Sequence, residues 1–190
     1  INTKKGDWTA ARQLFISQTV GMIITSTSDV ALLTSEAQKQ GFEIGAAYIP
    51  IPDGVQRAGV IIGGGSLWII KQKNQAEIDA AWKLVKYLAD VDPQITWHKG
   101  TGYFPVRLDA KEKLEKEGYY KDNPLHYIAI KQLLDTIPSY ATMGAVVGAF
   151  PEIRTAIENA IEKMINGQLT PKQALEEAEK EANKAIKQYF

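Results

Sequence analysis

The sequence predicts an α/β chain that becomes helix-rich toward its C-terminus, on three observations. Short apolar runs without helical spacing alternate with helix-spaced segments over roughly the first hundred residues. Glycine and proline fall between those segments, where turns belong. After Pro105 the strand signals stop and helix signals run on alone, so helices are expected to pack on sheets.

Residues 8–19 place Trp8, Ala11 and Phe15 at helical spacing, with Leu14 one position off. Gly21 punctuates, and Met22, Ile23, Ile24 and Thr25 read as a short buried strand. The polar run Ser26, Thr27, Ser28, Asp29 supplies cap oxygens for a helix over 30–40, which Gly41 stops. Residues 42–49 are again strand-like. Pro50, Pro52 and Gly54 then break regular structure, because proline fixes φ and glycine admits positive φ. Two further apolar strands, 58–62 and 67–70, flank Gly63, Gly64, Gly65 and Ser66. Asn74 and Glu77 form a capping-box pair before a helix carrying Ile78, Trp82, Val85, Leu88 and Ala89 on one face. Asp92 and Pro93 give a cap-then-proline start for a short helix reaching Lys99. Past the 100–105 loop, helices are expected over 109–117, 124–136, 151–165 and 171–189. The last is the best marked: Thr170 caps, Pro171 takes the first position, and Gln173 completes the box.

A chain of 190 residues with 45% apolar content has material for a core. Its 22 basic and 22 acidic residues balance overall, and they balance locally, 11 against 10 over 1–110 and 11 against 12 over 111–190. No bulk field exists to draw in nucleic acid or an anionic membrane, so neither is an expected partner. Without cysteine there is no disulfide, thiol nucleophile or thiolate metal site. The longest apolar stretches are too short to span a bilayer, and residues 1–5 lack a signal-peptide pattern. His98 and His126 stand 28 positions apart, which fits structural or surface roles and no local metal spacing; no metal or cofactor is expected.

Four motifs have both a bland and a functional reading. Gly63 to Ser66 is no nucleotide loop, since Trp68 stands where a dinucleotide fingerprint needs glycine and no Gly-Lys-Ser/Thr element follows. What remains is a bend in a sheet, or a place where backbone approaches a ligand closely. Arg154, placed by Pro151 in the first turn of a helix, is a cation at the end that favours anions. Either it pairs with Glu158 on the surface, or its guanidinium and the helix end converge on one carboxylate or phosphate. Ser26 to Asp29 is first a helix cap and second a ligand contact. Tyr103 and the four tryptophans, Trp8, Trp68, Trp82 and Trp97, are expected mostly in the core. No Ser/His/Asp set or nucleophile elbow occurs, and Asp53 and Asp135 have no distinctive spacing, so an enzyme is not expected.

Taken together, several of these motifs resemble the C-terminal half of the family 1 extracellular solute-binding proteins of ABC importers. The likeness runs from Trp8 to Tyr189. It is carried by Met22 through Ser28, by GGGSLW at 63–68, by WHK at 97–99 with TGYFP at 101–105, by GYYKDNP at 118–124, by PEIR at 151–154 and by TPKQAL at 170–175. The GGxSLW, TGYxP and PxIR elements point to the family's glycerol-phosphate branch.

The resemblance implies the C-terminal half of a two-lobed periplasmic-binding-protein (type II) fold with ligand enclosed between lobes. Residues 1–49 and 108–190 would form the C-terminal lobe, and 50–107 a portion of the N-terminal lobe, with crossings near Pro50 to Pro52 and Arg107 to Asp109. Ser26, Gly64, Tyr103 and Arg154 fall on the family's ligand-binding positions. Arg154 would hold phosphate, Ser26 and the Tyr103 hydroxyl would bond phosphate or glycerol oxygens, and Gly64 would bring backbone against the ligand. The implied ligand is glycerol-3-phosphate or a glycerophosphodiester. The alternatives are a receptor for a neutral sugar or oligosaccharide and, from another class, a non-catalytic protein-interaction module. The implied partners are the small-molecule ligand, an ABC permease that the closed receptor docks on, and the N-terminal half of the receptor, because family members are about twice this length. The implied location is the periplasm, or the cell exterior with a lipid anchor, the signal segment lying upstream of Ile1. Alone, the chain is expected to hold half a site, to bind weakly or not at all, and to self-associate through exposed apolar surface.

Overall fold

A computed structural model of the chain describes residues 6–71, 73–144 and 146–189. The N-terminal stretch read as lacking a leader pattern, 1–5, lies outside the described residues. The chain divides into two compact units, Ile1–Pro138 and Ser139–Phe190.

In the first unit, helix α1 (Trp8–Ile16) starts where the Asp7 carboxylate accepts from the Ala10 N–H at 2.9 Å. It is followed by a 3₁₀ turn (Thr27–Asp29), α2 (Val30–Lys39), α3 (Gln75–Leu88), α4 (Val91–Thr101), α5 (Leu108–Lys116), the single turn α6 (Tyr119–Asp122) and α7 (Pro124–Leu134). Asn74 caps α3 through the Ala76 N–H. The start of α4 departs from expectation. Asp90, not Asp92, is its cap, bonding the Val91 N–H at 2.8 Å, so Pro93 sits at the third helical position, where its missing N–H costs nothing.

The core gathers Ile95 of α4, Ala110 and Leu114 of α5, Tyr120 of α6 and Ile130 of α7, with Val91, Phe104, Tyr119 and Tyr127 packed around them. Both histidines are inside it: His98 has no exposed surface and His126 only 7%. Their rings meet edge to face at 5.2 Å, with Tyr119 and Tyr120 completing the cluster. Burial lowers the pKa of each imidazole, and that of His126 falls to about 4 with the His98 ring as a second cause.

The expected strands do not form. Among the described residues 22–25, 42–49, 58–62 and 67–70 are extended or irregular chain with no ladder, so the β component of the α/β reading is absent here. The reason is that a helix satisfies its own backbone, whereas a strand needs a neighbouring edge to receive its N–H and C=O groups. In place of a ladder, parts of these segments are tied to the end of α7. The Ile49 N–H donates to Gln132 Oε1 at 2.7 Å, the Val60 N–H to Thr136 Oγ1 at 3.1 Å, and the Tyr48 hydroxyl to Asp135 at 2.7 Å. The tryptophan expectation also fails: Trp8, Trp68, Trp82 and Trp97 are each more than half exposed, because the faces that carry them are left uncovered in this chain.

The second unit is a helical hairpin, α8 (Phe150–Ile165) and α9 (Pro171–Ile186), followed by a short 3₁₀ turn (Lys187–Tyr189). Its seam is made of alanines, Ala160 against Ala174 and Ala178, flanked by Met164 and Leu169; small side chains let two helices approach closely. The Thr170 and Gln173 capping box forms as expected, and Lys163 joins Glu177 across the pair at 2.5 Å.

Candidate functional site

Ser26 stands at the turn into the 3₁₀ segment, exposed and extended at ψ 151°, and its hydroxyl oxygen accepts from the Ser28 N–H at 3.3 Å and the Ser28 hydroxyl at 3.0 Å. The expected cap is therefore real but serves the 3₁₀ turn ahead of α2. Below it, Asp29 is buried and anchors the turn, accepting from the Arg12 guanidinium at 3.0 Å and from the Thr25 hydroxyl. A buried carboxylate with two donors fixes a loop far more firmly than an exposed pair.

Tyr103 follows the C-terminal stop of α4. Gly102 holds φ +98°, open to glycine alone at little cost, and its N–H closes the helix on the His98 carbonyl at 2.8 Å. A Cβ at Gly102 would stand 2.3 Å from the Thr27 carbonyl oxygen and 2.9 Å from Val30 Cβ. This near-contact brings the Ser26 and Tyr103 loops together: one lies directly on the other, and only glycine fits between. The Tyr103 ring stacks on Trp97 at 6.2 Å, and its hydroxyl makes no hydrogen bond among the described residues.

Gly64 lies in the exposed stretch between Ile62 and Leu67 at φ +152°, again a conformation for glycine, with nothing within 4 Å of a Cβ placed there. The structure gives it open space and no partner loop. The Trp68 indole N–H bonds back to Ser66 at 2.8 Å and closes the turn that follows.

Arg154 belongs to the second unit. α8 begins at Phe150, so Arg154 is its fifth residue rather than a member of the first turn as the sequence suggested. No side chain caps this helix: the Phe150 N–H donates to the Val147 carbonyl at 3.2 Å, Pro151 has no N–H, and the Ile153 N–H donates to the Ala149 carbonyl at 2.9 Å. The guanidinium lies 6.0 Å from the Phe150 ring and forms no ion pair among the described residues. The open groove of about 780 Å³ along this hairpin, lined among others by Glu152, Thr155, Glu177 and Lys184, does not include Arg154.

A family model for bacterial extracellular solute-binding proteins matches residues 3–127, well over half of the chain. The chain belongs to the bacterial extracellular solute-binding family. The family is one of binding proteins, not of catalysts. The chain is similar to the sn-glycerol-3-phosphate-binding periplasmic protein UgpB of Pectobacterium atrosepticum, 30% identical over 98% of this chain and 43% of that protein. It resembles its Salmonella typhimurium counterpart at 30% identity over 98% of this chain and 44% of that one. An Escherichia coli counterpart is 28% identical over the same share. The chain thus spans less than half the length of these curated relatives. Among the described residues no helix is long and apolar enough to cross a membrane.

Three residues that hold the Ser26 and Tyr103 loops escaped the sequence reading in that role: Asp29, read first as a cap oxygen and second as a ligand contact, His98, whose Nδ1 stands 2.6 Å from the Tyr103 carbonyl oxygen, and Gln94, whose Oε1 accepts from the Val106 N–H. Nothing in their spacing announced them, because each acts on backbone or on a distant side chain.

Proposed function

We propose that this chain is the C-terminal half of the solute-binding component of an ABC importer, which takes glycerol-3-phosphate or a glycerophosphodiester in the periplasm and passes it to the membrane permease. The observation that carries this reading is the 30% identity to sn-glycerol-3-phosphate-binding proteins across 98% of the chain. Two structural features support it. The Ser26 and Tyr103 loops are seated on each other, with the Tyr103 hydroxyl unspent. Arg154 stands near a helix start that no side chain caps, where a phosphate gains a guanidinium and the positive end of the helix dipole. In this reading Ser26, Gly64, Tyr103 and Arg154 touch the ligand in the roles the resemblance implies. Residues 1–49 and 108–190 form one lobe and 50–107 part of the other in the division that the resemblance implies. Lobe closure on ligand is a hinge motion, and the remaining ligand contacts come from the rest of the receptor.

Calorimetric titration tests both parts. The 190-residue chain is expected to give no measurable heat with sn-glycerol-3-phosphate, and micromolar binding overturns the half-site reading. In the full-length receptor, Arg154→Ala is expected to cost about 2–5 kcal/mol of phosphate-ester affinity. Unchanged affinity, or wild-type preference for a neutral sugar, removes Arg154 from the phosphate role.

A further inference from the structure

The loop that carries Tyr103 is held by backbone bonds from α4, and the most buried of them comes from His98. His98 Nδ1 stands 2.6 Å from the Tyr103 carbonyl oxygen. A carbonyl only accepts, so Nδ1 carries the proton and Nε2 is the lone-pair nitrogen of the neutral ring. Nε2 is buried without a hydrogen-bond partner, inside the cluster formed by His126, Tyr119 and Tyr120. A ring placed there only to fill space leaves two polar nitrogens to desolvate, a cost that an apolar side chain does not carry. The one thing the imidazole supplies and a phenyl ring does not is the Nδ1–H on the Tyr103 carbonyl.

Two neighbours complete the clamp. Thr101 Oγ1 accepts from the Tyr103 N–H at 3.1 Å while donating to the Trp97 carbonyl at 2.7 Å. Gln94 Oε1 accepts from the Val106 N–H at 2.9 Å while its amide donates to the Leu88 carbonyl at 2.7 Å. Tyr103 is therefore bound at both its backbone polar atoms, Val106 at its N–H, and Gly102 lies against Thr27 on the opposite side. The phenol is the part left out of this scheme, which fixes the Cα–Cβ direction of Tyr103 without consuming its hydroxyl.

We propose that His98 is a positioning residue of the ligand site, its Nδ1–H fixing the Tyr103 carbonyl and thereby setting the direction in which the Tyr103 side chain leaves the backbone. The proposal rests on the reading of Tyr103 as a ligand contact, and its tests separate the two. In the wild-type chain, long-range ¹H–¹⁵N spectra are expected to show His98 as the Nδ1–H tautomer; an Nε2–H tautomer overturns the proposal without any variant. His98→Phe keeps an aromatic ring, one atom larger, and removes the donor, whereas His98→Asn keeps a donor near the Nδ1 position and removes the ring. In the chain, His98→Phe is expected to speed amide exchange at Tyr103 and Val106 about tenfold or more, with Leu114 and Ile130 unchanged, while His98→Asn stays closer to wild type at Tyr103 and Val106. In the full-length receptor, His98→Phe is expected to weaken sn-glycerol-3-phosphate binding about tenfold, and His98→Asn to recover most of that loss. A folded His98→Phe with wild-type exchange and affinity, or a folded His98→Asn as impaired as the phenylalanine variant, overturns positioning. Wild-type affinity in Tyr103→Phe removes Tyr103 from the ligand and leaves the exchange result to judge His98 by itself.

Discussion

The core under α4 to α7 and the extended stretch from residue 58 to 70 are both apolar, and they meet opposite fates. Ala110 and Leu114 are fully buried, while Trp68 is 85% exposed, Ile70 75% and Leu67 65%. Hydrophobicity does not separate them. The helices close their backbone hydrogen bonds within themselves, so a face of three or four side chains needs only another helix a few residues away, and α5, α6 and α7 supply one another in turn. The extended stretch has strand chemistry, but a strand is completed by a remote edge. Helix α3 shows the intermediate case: it forms from its own capping and spacing, yet none of its residues is buried, and its Leu84, Val85 and Leu88 line an open apolar groove with Leu67, Trp68 and Ile70. Local signals make an element; burial requires a partner surface.

Leu114→Ala gives the largest expected effect, because it empties a site with no exposed surface. A loss of about 3 kcal/mol in denaturant unfolding is expected, and a loss near zero means that the α4 to α7 core is not the stabilising element described here.

Acid is expected to act next. His126 and His98 titrate lower folded than unfolded, so the unfolded chain takes up protons first as pH falls below about 6.5. Stability is then whole above that value and declines as pH drops toward the folded value of about 4 for His126. The decline is on the order of 2–3 kcal/mol for that group. The groups that face the pair are Lys99 beside His98 and the Tyr119 and Tyr120 rings, with Glu115 and Tyr127 next to Tyr120. Urea midpoints at stepped pH measure it. A His126→Phe chain whose midpoint falls as steeply as wild type between pH 6.5 and 4.5 would show that the decline has another source.

The smallest stability effect is expected from Trp68→Ser. The ring is already solvated, so unfolding free energy changes by less than about 0.5 kcal/mol, while self-association in sedimentation velocity falls as exposed apolar area is removed. A stability loss like that of Leu114→Ala would show that Trp68 is buried in solution and erase the contrast between the two regions.

Much of the candidate site is legible as residues and little of it as geometry. Ser26 as a cap oxygen and Arg154 near a helix start follow from local rules, and the structure keeps both with shifted details, whereas Gly102, read as part of a loop after Lys99, is the stop of a helix that runs on to Thr101. That Gly102 lies on the Thr27 carbonyl is not legible, since the two are 75 positions apart (102 − 27) and their meeting depends on how α2 packs on α4. His98 shows the same limit. A lone histidine reads as structural or surface; the hydrogen bond that gives it a task runs to backbone, which carries no side-chain signature.

By itself the sequence determined most of the helices, the Asn74 and Thr170 caps, the absence of thiol chemistry and the motifs that place the chain in its family, because each is written in neighbouring residues. Tertiary structure alone decided which apolar faces are covered, that the expected strands stand without ladders, and that the Ser26 turn and the Tyr103 loop share one seat held by Asp29 and His98. The division follows the range of the forces: capping, helical hydrogen bonds and backbone stiffness act within a few residues, whereas burial and strand pairing depend on which distant surface arrives.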